Sequence, residues 1–178
     1  TDKVTVTIKG HEDTATYDGN PHSVEGYEVT NISNELYKAD YIGFTGKAMA
    51  EGIAAGTYHM NLTAQQFSNT SASFDNVTFV VEDGTLTINP KSITPDGPNT
   101  PEDEKTGITV TAPEGSKYDG EEHKNKPTIT DTKTDKVLVE GTDYELSYSE
   151  DVVNAGTVTV TVKGKGNYEG SFEVTYEI

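Results

Sequence analysis

The chain has 178 residues, 30 acidic against 13 basic, for a formal charge of -17, and it contains no Cys and no Trp. All 13 basic residues are Lys, and an acidic chain without Arg is poorly equipped to neutralise phosphate, which argues against nucleic acid and anionic membranes as partners. Absence of Cys removes disulfides, thiol catalysis and thiolate metal sites, and no apolar run reaches the length of a membrane span.

In chain order, Val4, Val6 and Ile8 alternate with Thr and Lys, the period of a half-buried strand. Asp18-Gly19 marks a turn. The best helical window, 46–55 (GKAMAEGIAA), is interrupted by Gly52 and followed by Gly56, so evidence for a helix is thin. Tyr58, Met60 and Leu62 alternate as a strand, and Asp83-Gly84 turns the chain again. Residues 89–106 (NPKSITPDGPNTPEDEKT) hold four of the seven prolines beside a run of acids, and they read as a semi-rigid linker. Beyond it come the Asp119-Gly120 turn, strands on Tyr144/Leu146/Tyr148 and Val158/Val160/Val162, a glycine-rich hairpin loop at 164–170, and a closing strand through Phe172, Val174, Tyr176 and Ile178.

The two halves echo each other. Tyr17-Asp18-Gly19 recurs as Tyr118-Asp119-Gly120, each followed after two residues by a histidine, His22 or His123. Asp40-Tyr41 recurs as Asp143-Tyr144, and Ala55-Gly56-Thr57 as Ala155-Gly156-Thr157. The expected architecture is all-β: a first module over 1–90, a Pro-rich acidic linker over 91–106 and a second module over 107–178. Each module is a small β-sandwich of Ig-like type, with a β-grasp-like sheet as the alternative. Both modules are acidic, so crowded carboxylates are expected to repel one another and to raise their proton affinity.

Little in this pattern points to chemistry. There is no G-x-S-x-G elbow, no H-E-x-x-H and no EF-hand loop. Glu121-Glu122, Glu150-Asp151 and Glu102-Asp103-Glu104 read as solvated acids rather than a glycosidase pair. Asp131 and Asp135 flank Lys133 and read as a hairpin tip, not a Ca²⁺ loop. The 164–170 run precedes a strand, which denies it the helix N-terminus of a phosphate loop. His22 and His123 read as residues just past a turn. Self-generated amide cross-links are compatible with the composition, with Lys9, Lys117 and Lys163 opposite Asn76 or Asn167 as candidates, but no triplet stands out and none is expected. The sequons at Asn31, Asn61, Asn69 and Asn76 read as incidental. No catalytic, cofactor-binding or metal residue is therefore assigned, and no cofactor.

The stretches TYDGNPHSVEGYEV (16–29), AGTYHMNL (55–62), NVTFVVEDGTLTI (76–88), KYDGEEHKNKPTI (117–129) and 138–178 together resemble the YDG-type and MBG-like repeat modules, and related bacterial Ig-like repeats, of large Gram-positive cell-surface proteins. The second half carries the whole closing pattern, from Asp143-Tyr144 through Asn154-Ala155-Gly156-Thr157 to Gly166-Asn167-Tyr168. The first half departs, with Ala54 where the second has Asn154 and Phe67-Ser68-Asn69 where Gly-Asn-Tyr is expected. The resemblance implies a non-enzymatic, monomeric stalk or adhesive segment, extracellular and held to the cell wall through regions outside this stretch. Its implied partners are neighbouring repeat modules and a host glycan or extracellular-matrix protein, without nucleic acid or membrane insertion. Residue 1 is Thr rather than Met and no signal peptide is seen, which suits a piece of a longer chain. An accessory carbohydrate-binding region of a secreted multimodular enzyme is the competing expectation, and exposed paired tyrosines would favour it.

Overall fold

The computed structural model describes residues 2–178. The chain divides into two compact units: unit 1 holds the chain through Ala15 together with Asn20–Ile88, and unit 2 holds Thr16–Gly19 together with Asn89–Ile178.

Unit 1 is built on β1 (Val4–Gly10), whose residues alternate strictly between buried and half-buried, with Val4, Val6 and Ile8 wholly out of solvent. The strand sits centrally in its sheet: β4 (Tyr27–Ile32) runs antiparallel on one side and β9 (Val77–Glu82) parallel on the other. A bulge at Thr7/Ile8 shifts the β4 register. A second sheet places β10 (Thr85–Asn89) between β2 (Glu12–Thr16) and β7 (Gly56–His59), with Leu86 and Ile88 of β10 buried. Short pairs complete the unit: β3 (His22–Glu25) with β6 (Met49–Gly52), and β5 (Ile42–Phe44) with β8 (Phe67–Asn69). Aromatic rings fill the core, Tyr27 meeting Phe67 edge-on at 5.0 Å and Tyr37 meeting Phe74 at 5.2 Å.

One local reading is met and one changes. The 46–55 window, where evidence for a helix is thin, is not helical: Gly46 adopts a φ of +97° and Met49–Gly52 pairs as a strand, because Gly46, Gly52 and the following Gly56 weaken a helix more than the alanines favour it. The strand expected through Leu62 stops at His59. There the Asp83 carboxylate accepts the N–H groups of Asn61 (3.0 Å) and Leu62 (2.9 Å), holding Asn61 at a φ of +60° while Met60 and Leu62 stay buried.

Unit 2 contains β11 (Lys91–Ser92), β12 (Ile108–Thr111), β13 (Thr128–Asp131), β14 (Lys136–Val137), β15 (Tyr144–Tyr148), β16 (Thr157–Gly164), β17 (Tyr168–Glu169) and β18 (Ser171–Glu177). Strand β16 is flanked antiparallel by β15 and β18, and it buries Val158, Val160 and Val162 on one face. Strands β12, β13 and β14 form an antiparallel meander, and β11 runs parallel to β17. Among the described residues there is no α-helix, only three-residue 3-10 turns, so nothing plays the part of the helix a β-grasp lays across its sheet. The fold is all-β with several small sheets, of the sandwich type.

Residues 91–106 do not form the free-standing connector that their composition suggests. Lys91 and Ser92 are in β11, and Ile93 is wholly buried. Farther on, the Asp96 carboxylate accepts the N–H groups of Thr106 and Gly107, each at 2.8 Å, and so closes the Pro-rich loop on itself. Proline and acid dominate the composition of this stretch, but Lys91 and Ile93 alternate at its start and bury themselves as any strand would.

Candidate functional site

Three side chains from three separate strands of unit 2 meet in its interior. Lys91 Nζ on β11 donates to Asp131 Oδ1 on β13 at 2.8 Å, and the Tyr168 hydroxyl on β17 donates to Asp131 Oδ2 at 2.8 Å. The backbone N–H of Lys133 adds a third hydrogen bond to Oδ1 at 3.1 Å. The carboxylate is wholly buried and the lysine side chain 8% exposed. Burial alone would raise the proton affinity of Asp131, but the hydrogen bonds from Lys91 and Tyr168 and the lysine charge outweigh it and hold the carboxyl below its ordinary value. The Tyr168 phenol is pushed well up, first by burial and then by its bond to the carboxylate. It stays protonated and donates. The arrangement is an ion pair with its oxygens satisfied, tying β11, β13 and β17 together; no carboxylate with raised affinity is present in it to act as a general acid.

Motif spacing does not reveal this trio, since by spacing Asp131 reads as one of two acids at a hairpin tip. The tip is there, with Asp135 at a φ of +53°. A signal existed, however: Ile129 and Asp131 share a face of β13 by period two, so an acid at core parity needed a buried cation.

Next to the trio, a cleft of about 840 Å³ is open to solvent, its rim carrying Tyr17, Asp18, Asp103, Glu104, Lys105 and Lys133. Of its lysines, Lys105 pairs with Glu102 at 2.8 Å, and Lys133 Nζ donates to the Lys105 carbonyl. Its wide mouth sets it apart from the enclosed cavity of a small-molecule site.

The histidines sit where the turns put them. His123 Nε2 lies 2.8 Å from Asp119 Oδ1, which also accepts the Glu121 N–H at 2.9 Å. The Glu121 N–H and the imidazole together keep the Asp119 carboxyl below its ordinary value. His22 starts β3, opposite Gly52. Of the paired acids, Asp151 accepts the N–H groups of Val153 (3.0 Å) and Asn154 (2.9 Å) in a turn, and Glu102 is taken by Lys105. Among the described residues no group of three His, Cys, Asp or Glu side chains is close enough to hold a metal ion. Lys9 lies on β1 in unit 1, whereas Lys117, Lys163 and Asn76 are exposed.

The recurring tripeptides share backbone geometry. Gly56 and Gly156 have φ values of +152° and +151°, and each pairs with an isoleucine near the end of its half, Gly56 with Ile88 and Gly156 with Ile178. Gly19 and Gly120 have φ values of +79° and +82°. Of the ten tyrosines, only Tyr118 is exposed; the other nine are buried or half-buried.

Comparison with curated proteins and with solved structures returns no match. The MBG domain family model matches residues 4–90. That span begins at the first buried strand residue of unit 1 and runs through β10, the strand that carries Leu86 and Ile88 into the core. Residues 4–90 are thus similar to the MBG domain family, a non-catalytic module family that points to a surface protein.

Proposed function

We propose that the chain is a tandem pair of non-enzymatic β modules from a bacterial cell-surface protein, serving as a stalk or spacer in an adhesin. The observation that carries this reading is the placement of the tyrosines: nine of ten are turned into the modules or half-covered, and the one exposed ring, Tyr118, has no exposed tyrosine beside it to make a stacking platform. The matched geometry of Gly56 with Gly156, and of Gly19 with Gly120, supports a module that occurs twice. The MBG match over 4–90 supports a surface-protein module; in this reading the segment is displayed outside the cell, on a protein held to the wall through regions outside it.

Host-binding by this segment, or service as an accessory carbohydrate-binding region of a secreted enzyme, is the competing reading. A glycan array followed by calorimetry on the 178-residue chain decides between them. The stalk reading expects no saturable binding. Saturable glycan binding that is lost in Tyr118→Ala would overturn it.

A further inference from the structure

Residues 16–19 come from the first half of the sequence yet are part of unit 2. Tyr17 is 8% exposed, its ring meeting that of Tyr168 edge-on at 5.7 Å and 75°. Its N–H donates to the Asn89 carbonyl at 2.8 Å. Two residues on, the chain turns at Gly19 close against the β13–β14 hairpin: a Cβ on Gly19 would lie 2.9 Å from the Thr134 methyl group. The Tyr-Asp-Gly tripeptide is thus seated against a defined surface made by Asn89, Thr134 and Tyr168.

Its counterpart has the same sequence and no such seat. Tyr118 is 61% exposed, the largest exposed aromatic among the described residues. Gly120 has nearly the φ of Gly19, yet nothing lies within 4 Å of the position its Cβ would take. The loop is tied down on both sides of Tyr118: Asp119 is held by the Glu121 N–H and by His123, and the segment before it by the Ser116 N–H donating to the Glu177 carbonyl at 3.0 Å. A loop ordered in advance loses little freedom when its ring is covered. An exposed large aromatic on such a loop is the composition of an interface centre rather than of an idle surface.

We propose that Tyr118-Asp119-Gly120 is a docking element, and that its partner is a further module bearing the surface that unit 2 offers to Tyr17. That partner would present a buried tyrosine at the end of a Gly-Asn-Tyr turn, as Tyr168 is presented here, with a hairpin-tip threonine in the place of Thr134. Each module would lend its Tyr-Asp-Gly loop to the next and receive one from the module before, so successive modules interlock instead of hanging on free linkers. The inference rests on the tandem reading above and fails separately from it. The glycan experiment reads ligand binding by the chain as it stands, whereas the test below reads the burial of one ring by an added module.

The test is an extended chain, residues 1–178 followed directly by a second copy of 89–178, labelled with tetranitromethane and mapped by peptide mass spectrometry. In the 178-residue chain Tyr118 is nitrated readily and Tyr17 is protected. In the extended chain Tyr118 becomes protected like Tyr17, and Tyr118→Ala lowers the melting temperature of the added copy while leaving that of the 178-residue chain unchanged. Equal nitration of Tyr118 in both chains overturns the proposal. So does an added copy whose melting ignores Tyr118→Ala, or one that does not fold.

Discussion

Lys91 and Asp131, forty positions apart, form a 2.8 Å ion pair inside unit 2 with the carboxylate wholly removed from solvent. Removing either partner leaves the other charged and buried. Lys91→Met is therefore expected to destabilise unit 2 by about 3–5 kcal/mol, and the double variant Lys91→Met/Asp131→Leu by less than the single one. Urea denaturation of the three proteins checks this. A single variant within experimental error of the parent would mean that the pair contributes nothing to the fold.

The pair is expected to remain ionic. Condensation to an amide needs a neutral amine and a protonated carboxyl, and the hydrogen bonds around Asp131 hold it in the opposite state. Intact-mass measurement of the folded protein should give the mass of the sequence. A mass short by one water, mapped to a Lys91–Asp131 peptide, would show a cross-link.

Composition suggests that crowded carboxylates take up protons early, yet Asp96, Glu102, Asp119, Asp131 and Asp151 are all held below the ordinary carboxylate range. For Asp96 and Asp131 burial opposes the shift and hydrogen bonds overcome it; Glu102 is lowered by Lys105, and Asp119 and Asp151 chiefly by turn N–H groups. A carboxylate with a lowered folded value contributes stability that is complete above its unfolded value and lost as pH falls through the folded one. Melting temperature is thus expected to hold from pH 7 to 5 and to fall below about pH 4. Melts from pH 7 to pH 2 test the sign; a fall already complete at pH 5 contradicts it.

Gly10 is expected to tolerate no side chain. A Cβ there would lie 2.6 Å from the Gly84 Cα, a backbone atom that cannot swing aside. Gly10→Ala should cost about 1–3 kcal/mol, in the range of overpacked sites. Gly97→Ala, whose nearest neighbour is the Thr100 hydroxyl at 3.5 Å, should be close to neutral in the same thermal melts.

Fragment boundaries provide a further check. A fragment of residues 107–178 lacks Lys91 and Ile93, so it leaves Asp131 unpaired and a hole where a wholly buried isoleucine sat. It should melt without cooperativity, or at a lower temperature than a fragment of residues 89–178 followed by circular dichroism. Equal melting of the two would return residues 91–106 to the status of a linker.

Alternation alone determined the strands that bury one face: Val4, Val6 and Ile8 on β1, and Val158, Val160 and Val162 on β16, lie where period two puts them because a pleated strand has no other way to sort its side chains. The turns at Asp18-Gly19 and Asp119-Gly120 were legible for a similar reason, since glycine there adopts the positive φ that other residues avoid. Only the tertiary structure decided that Lys91, Asp131 and Tyr168 meet, because hydrogen bonding between strands forty residues apart leaves no periodic trace in the chain. It also decided that two tripeptides of the same sequence, their glycines at nearly the same φ, have opposite fates. Tyr17 is covered and Tyr118 is not, since exposure depends on what packs against a loop and not on the residues that form it.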